Sequence, residues 1–302
     1  MKYASIDVGT NTLLLLIAEI DKGISDILDI STTTRIGEGL KETGYISDEA
    51  MTRTFRTLEE YRKIIDENDV CEILCVGTSA LREAVNSEVF LKIVRDKLKL
   101  NIKIISEHDE AYYTYLSVRN DELIRDENVI VIDIGGGSTE IIKGNIMGFS
   151  DFISLPVGAV KLTEMFVKHD PPLKDELSLL EDYSIDILQR LPFDGSGSSL
   201  IGTGGTITSL ANILLGLEVF DKNKIHTAGI NLKEIDILID LMKKMDTFGR
   251  SAIKGMERGR EDILLQGIIF LKEIMLYFGI DKLVVSTKGV RYGVIYEKLR
   301  YS

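Results

Sequence analysis

Residues that build metal centres and disulfides are scarce here: two cysteines and three histidines in a chain of 302. Cys71 and Cys75 share one apolar run, CEILC, and no second pair exists to complete a zinc site. They read as ordinary core or near-core thiols. The histidines are His108, His169 and His226. His169-Asp170 is similar to the centre of a metal-dependent HD phosphohydrolase, but the other ligands are missing and the dipeptide runs into Pro171-Pro172, a turn. No stretch approaches the roughly 18 apolar residues of a spanning helix. Asp7 interrupts what would have to be a signal h-region, so a cytoplasmic protein with no membrane partner is expected. Positive charge is short as well. With 36 Lys and Arg against 48 Asp and Glu, the net charge of −12 argues against broad nucleic-acid binding but not against a polyanion in one local pocket. No G-x-x-x-x-G-K-[ST] loop occurs, so this is not a P-loop enzyme.

What the chain does have is one pattern written twice. ASIDVGTNTLLLLIAEIDKG opens it, and VIVIDIGGGSTEIIKGNIMG stands in the middle. Each copy is an apolar β-branched run, an Asp-x-Gly step (Asp7-Gly9, Asp133-Gly135), small hydroxyl residues, and a second apolar run ending in Lys22-Gly23 or Lys143-Gly144. This predicts two β-hairpins, each with an acid at the end of its first strand and a glycine loop beyond it. Glycine there lets backbone N–H groups approach an anion closely. Two such loops across a cleft would hold a phosphate chain from both sides.

The elements alternate in both halves. Strands are expected at Tyr3–Asp7, Leu13–Ile20, Ile24–Ile36, Ile73–Val76 and Ile102–Ile105, with helices from Ser47 to Glu67, Ala80 to Ala84, Glu88 to Leu98 and His108 to Arg119. The second half repeats the plan, with strands at Val129–Asp133, Thr139–Lys143, Gly148–Ser154, Leu200–Ile201 and Leu283–Ser286. Its helices are expected at Ala159–Val167, Lys174–Leu191, Ile207–Leu214, Lys233–Lys244, Ile263–Phe278 and Val290–Leu299. The fold class is therefore α/β, two domains each with a mixed sheet flanked by helices: residues 1–120 and 121–302, with a last helix at 289–302 that can pack back on the first domain. A hinge is expected near the polar stretch Asn120–Asn128, and PFDGSGSS (Pro192–Ser199) reads as an exposed loop.

Five segments carry candidate chemistry. DVGTNT offers Asp7, Gly9, Thr10, Asn11 and Thr12, and could equally be a plain hairpin turn. DIGGGSTE offers Asp133, Gly135, Gly136, Gly137, Ser138, Thr139 and Glu140; three consecutive glycines are costly in backbone entropy, which favours a close-approach anion loop. IGTGGTITSL places Gly202, Gly204, Gly205 and Thr206 between a strand and a helix N-terminus. GTSALREA puts Arg82 in the first turn of a helix, the wrong sign for the helix dipole and a hint that it faces an anion. ISEHDEAYY clusters Glu107, Asp109 and Glu110 at a helix start, as caps or with one of them as a general base. The basic residues Lys254, Arg258 and Arg260 in KGMERGR extend an anion path or decorate an exposed helix start.

Together DVGTNT, GTSALREA, IISEHDEA, VIDIGGGSTE, SLPVGAVKLTE, IGTGGT and VSTKGVRYG resemble the exopolyphosphatase / guanosine pentaphosphate phosphohydrolase family of the actin-like superfamily, in family order from Asp7 to Gly293. The resemblance implies two actin-like domains, hydrolysis of terminal phosphoanhydrides of polyphosphate or guanosine pentaphosphate, and a magnesium ion near Asp133 and Glu140. It implies Glu110 as the base that activates water, Arg82 as a catalytic phosphate contact, the glycine loops as phosphate binders, and Arg291 as a further contact. Asp109 stands where the family has the first glutamate of its pair, and Tyr292 where a glutamate is usual. Longer members carry a C-terminal HD-like helical domain, and the resemblance is to a short form expected to lack it. A kinase or ATPase of the same superfamily, or a non-catalytic phosphate sensor, would share these loops, and a homodimer is compatible with the sequence.

Overall fold

A computed structural model describes residues 1–21, 23–121, 123, 128–192, 194–195 and 197–300. Most of the hinge expected at Asn120–Asn128, together with Lys22, Phe193 and Ser196 of the expected turn and loop, lies outside these residues.

The chain forms two units, residues 1–117 with 288–302, and residues 118–287. Unit 1 runs β1 (Lys2–Val8), β2 (Thr12–Ile20), β3 (Ile24–Thr33), α1 (Leu40–Thr43), α2 (Asp48–Asp66), β4 (Glu72–Gly77), α3 (Ser79–Glu83), α4 (Ser87–Leu98), β5 (Ile102–Ile104) and α5 (Glu107–Arg119), whose last turn crosses into unit 2. Unit 2 continues with β6 (Val129–Ile134), β7 (Thr139–Asn145), β8 (Gly148–Leu155), α6 (Ala159–Phe166), α7 (Lys174–Leu188), β9 (Ser199–Thr203), α8 (Gly204–Leu214), α9 (Lys222–Ile225), β10 (Gly229–Asn231), α10 (Leu232–Met242), α11 (Thr247–Ser251), α12 (Leu264–Phe278) and β11 (Lys282–Val285). The last helix, α13 (Val290–Arg300), belongs to unit 1.

The two sheets have one plan. In unit 1 the order is β3-β2-β1-β4-β5, antiparallel through the hairpins and parallel from β1 to β5. In unit 2 it is β8-β7-β6-β9-β11, with β10 added antiparallel at the edge. Alternation sets which face is buried: Ala4, Ile6 and Val8 of β1 enter the core under α2 and α4, and Tyr3 packs with Tyr292 and Ile295 of α13. In unit 2, α12 is buried on nearly every side, which explains its almost unbroken apolar sequence. Ser47 caps α2 as expected, accepting from the Ala50 N–H at 3.1 Å. Burial pushes the Cys75 thiol up, in keeping with an inert core cysteine.

Three expectations shift. The helix after GTGGT opens at Gly204, not near Thr206, because Gly204 takes a left-handed φ of 86° that lets the chain turn at once from strand to helix. The helix expected to reach Leu191 ends at Leu188. β10, α1, α9 and α11 were not expected at all; three to five residues are too few to carry a periodicity.

Candidate active site

In each unit the candidate residues follow the carboxyl ends of parallel strands, where open α/β sheets bind ligands. The two Asp-x-Gly loops prove to be the same local structure. Gly9 N–H donates to Thr12 O at 3.1 Å, and Gly135 N–H donates to Ser138 O at 3.0 Å. A covering segment then ties down the loop carbonyls. In unit 1, Thr34 and Arg35 donate to Asn11 O and Gly37 donates to Thr10 O. Arg35 holds a left-handed φ of 50° there, uncommon for a side-chain-bearing residue. In unit 2, the first N–H groups of α6 do this work, Ala159 to Gly135 O and Val160 and Lys161 to Gly136 O. A Cβ on Gly158 would lie 2.5–2.7 Å from those carbonyls, so the approach requires glycine. Because C=O and N–H point oppositely across a trans peptide, the N–H groups of Gly136 and Gly137, and of Asn11 and Thr12, face away from the cover. That is the arrangement an anion-binding loop needs.

Where the copies differ is informative. Asp7 lies opposite Leu14 in the first hairpin, and Asp133 lies opposite Glu140 in the second. Directly opposed residues point to the same face, so unit 2 has a carboxylate pair where unit 1 has one carboxylate and an apolar chain. Glu140 is buried, and its Oε1 accepts from Ser154 Oγ at 2.8 Å. Asp133 lies against the start of α8, since a Cβ on Gly204 would fall 2.3 Å from its Oδ1.

In unit 1, the Glu107, Asp109 and Glu110 cluster separates by burial. Glu107 is exposed and Asp109 half-buried, while Glu110 is 7% exposed. The helix does not need the acids as caps, because the Ser106 hydroxyl accepts from Asp109 N–H at 3.0 Å. Glu110 instead meets Arg82, whose Nη1 lies 3.0 Å from its Oε2 and also donates to Ile105 O at 2.9 Å. The dipole argument for Arg82 does not survive: α3 has five residues and Arg82 falls in its last turn. Its two acceptors, not a helix field, set its direction.

Several expected phosphate contacts have side chains placed elsewhere. Arg291 is the clearest correction. Its Nε and Nη2 both donate to the Asp29 carboxylate at 3.0 Å, so it clamps α13 to β3. Burial lowers the Arg291 pKa, and the Asp29 carboxylate more than reverses this, so it stays cationic. The Thr10 methyl packs toward Gly37, the Thr139 hydroxyl donates to Val157 O at 2.8 Å, and Thr206 lies against Gly267 of α12. Gly202 makes room for Ile207 and Leu283 between sheet and helix. For these, packing accounts for the residue type.

The KGMERGR segment is resolved the other way. Lys254 and Arg258 are exposed, but Arg260 is buried. Gly255 O accepts from Asn212 Nδ2 at 2.8 Å, Ser209 Oγ donates to Glu257 Oε1 at 2.5 Å, and a Cβ on Gly205 would fall 2.1–2.4 Å from the Arg260 guanidinium. Positions 212, 209 and 205 make one stripe of α8, so the segment straps that face and delivers a cation to the helix start. The sequence leaves all three cations open between an anion path and an exposed helix start, and does not single out Ser154 or the buried Lys161, whose Nζ donates to Pro156 O at 3.4 Å. His169-Asp170 is structural: His169 pairs with Glu176, and Asp170 accepts from Thr247 N–H and Arg250.

Among the described residues, no group of three or more His, Cys, Asp or Glu side chains is placed to hold a metal ion. Asp133 and Glu140 oppose each other across β6 and β7 and make a pair of carboxylates, short of such a group.

This geometry defines a mixed α/β protein of two units with like sheets and duplicated Asp-x-Gly loops. The chain belongs to the Ppx/GppA phosphatase family, whose model matches residues 16–302. It is 30% identical to exopolyphosphatase 2 of Mycobacterium tuberculosis, over 97% of each chain. It is 37% identical to a bifunctional 3-dehydroquinate synthase/phosphatase of Fusobacterium nucleatum, over 97% of this chain but 46% of that protein's length. Among solved structures, it is similar to the Aquifex aeolicus family member (34% identity, TM-score 0.85, 100% and 98% of the two chains) and to an exopolyphosphatase of Cytophaga hutchinsonii (28%, TM-score 0.92, 100% and 98%).

Proposed function

We propose that this protein is a phosphoanhydride hydrolase that releases terminal orthophosphate from inorganic polyphosphate, with guanosine pentaphosphate as the second candidate substrate. The observation that carries the reading is the Glu110–Arg82 pair: Glu110 is the single carboxylate of its cluster withdrawn from solvent, and a half-buried cation holds it. The names of the exopolyphosphatase relatives support the substrate class.

In this reading Glu110 orients a water and takes its proton as the water attacks the terminal phosphorus. The phosphoanhydride oxygen leaves with the shortened chain. Arg82 fixes the plane of the Glu110 carboxylate and offers its remaining N–H groups to phosphoryl oxygens. Within unit 2, the N–H groups of Gly136 and Gly137 and of the start of α8, with Arg260, would neutralise phosphate charge. Asp133 and Glu140 would hold magnesium, which when bound neutralises phosphate charge.

The test is orthophosphate release from long-chain polyphosphate, tripolyphosphate and guanosine pentaphosphate, with magnesium and after chelation. Release that depends on Glu110 supports the hydrolase. Tight binding of these ligands without release would make the protein a sensor, and phosphate transfer to an acceptor in place of water would make it a kinase.

A further inference from the structure

We infer that Ser154 is a positioning residue for Glu140, acting through one hydrogen bond on the carboxylate pair of unit 2; the inference rests on the functional reading above. Four residues line up straight across the unit 2 sheet: Thr203 on β9, Asp133 on β6, Glu140 on β7 and Ser154 on β8, each in register with the next. Side chains of directly opposed residues share a face, so this is one polar row ending at the edge strand β8.

Unit 1 supplies an internal control. Its matching row is Val76, Asp7, Leu14 and Ser31. The outer serine is present in both rows, but in unit 1 it stands opposite leucine and is exposed. Only in unit 2 does the serine face a carboxylate, and there its Oγ–H donates to Glu140 Oε1 at 2.8 Å. The terminal torsion of a glutamate is soft, with no sharp rotamer of its own. A donor on the neighbouring strand therefore helps to set how the Glu140 carboxylate plane stands. Outer groups that orient a ligand or catalytic side chain are commonly worth about 10–100-fold in activity.

The experiment compares Ser154→Ala, Ser154→Thr and the control Ser31→Ala in the full chain, with polyphosphate and magnesium. Ser154→Ala should lower kcat by about 10–100-fold with little change in KM, Ser154→Thr should restore most of it, and Ser31→Ala should match wild type. In a Glu140→Ala background, adding Ser154→Ala should cost nothing further in kcat. A readout independent of turnover is the double-mutant cycle of Ser154→Ala and Glu140→Ala in urea unfolding, which should show coupled, non-additive losses. Full turnover in Ser154→Ala, or additive losses in the unfolding cycle, would overturn the inference while a defect in Glu140→Ala kept the site reading intact. Full turnover in Glu140→Ala would overturn both.

Discussion

Glu110 shows what a single residue reveals only when folded. Three acids at a helix start look alike in sequence, because any of them can cap the helix; burial and Arg82 distinguish one. Glu110→Gln should lower turnover by about 10²–10⁴-fold, with affinity for polyphosphate unchanged or improved, whereas exposed Glu107→Gln should cost little. Arg82→Ala acts on the same pair, so its effect and that of Glu110→Gln should be strongly non-additive in kcat/KM. A second acid invites a pH test. Burial raises the Glu176 pKa, but the hydrogen bond from His169 and the N–H groups of Leu173 and Lys168 outweigh it and hold the carboxyl down to about 2. A depressed folded pKa gives stability that is fully present above the unfolded value, roughly 4.3, and lost as pH falls toward 2. The stability gap between wild type and Glu176→Gln in urea titrations should therefore close on the acid side as pH falls from about 5 toward 2.

At the scale of elements, the hairpins and long helices were legible because periodicity and turn glycines speak locally. The strap over α8 was not, since the spacing that pairs Gly255 with Asn212 and Arg260 with Gly205 exists only after folding. Nor were the side-chain contacts of α13, although its packing back on the first domain was expected. Its Arg291 read as a phosphate contact and its Tyr292 as a missing carboxylate, yet both reach β3: Arg291 to Asp29, and the Tyr292 hydroxyl to Asp26 at 2.6 Å. Arg291→Met should destabilise the protein by about 3 kcal/mol by leaving Asp29 without its cation, measured by urea unfolding, with KM near wild type. A phosphate contact would show the reverse. Gly293 is a sharper probe of the same helix. A Cβ there would sit 1.9 Å from the Tyr113 carbonyl, a backbone atom that cannot swing aside, so Gly293→Ala should push α13 off α5 and lower the melting temperature.

For the whole molecule, duplication was visible in the sequence and its inequality was not. Leu14 is simply one more apolar residue in a strand until the register shows that it occupies the place of Glu140. The units also differ in continuity. Unit 2 is one segment, 118–287, with its own sheet and core, whereas unit 1 needs residues from both sides of it. Residues 118–287 expressed alone should unfold cooperatively in calorimetry and release no phosphate, lacking Glu110 and Arg82. Residues 1–117 alone should bind hydrophobic dye, because Tyr3, Leu16 and Ala18 would lose their cover of Tyr292 and Ile295.

The α13 clamp also sets a schedule for synthesis. A ribosome delivers Asp29 early and Arg291 only after all of unit 2 has emerged, so unit 1 waits half-built while unit 2 folds. A nascent chain cut short anywhere inside unit 2 would hold Glu110 and Arg82 on a sheet with one face bare. Such fragments would expose the apolar face of Tyr3, Leu16 and Ala18 that α13 covers in the folded protein, the kind of surface that chaperones and proteases act on.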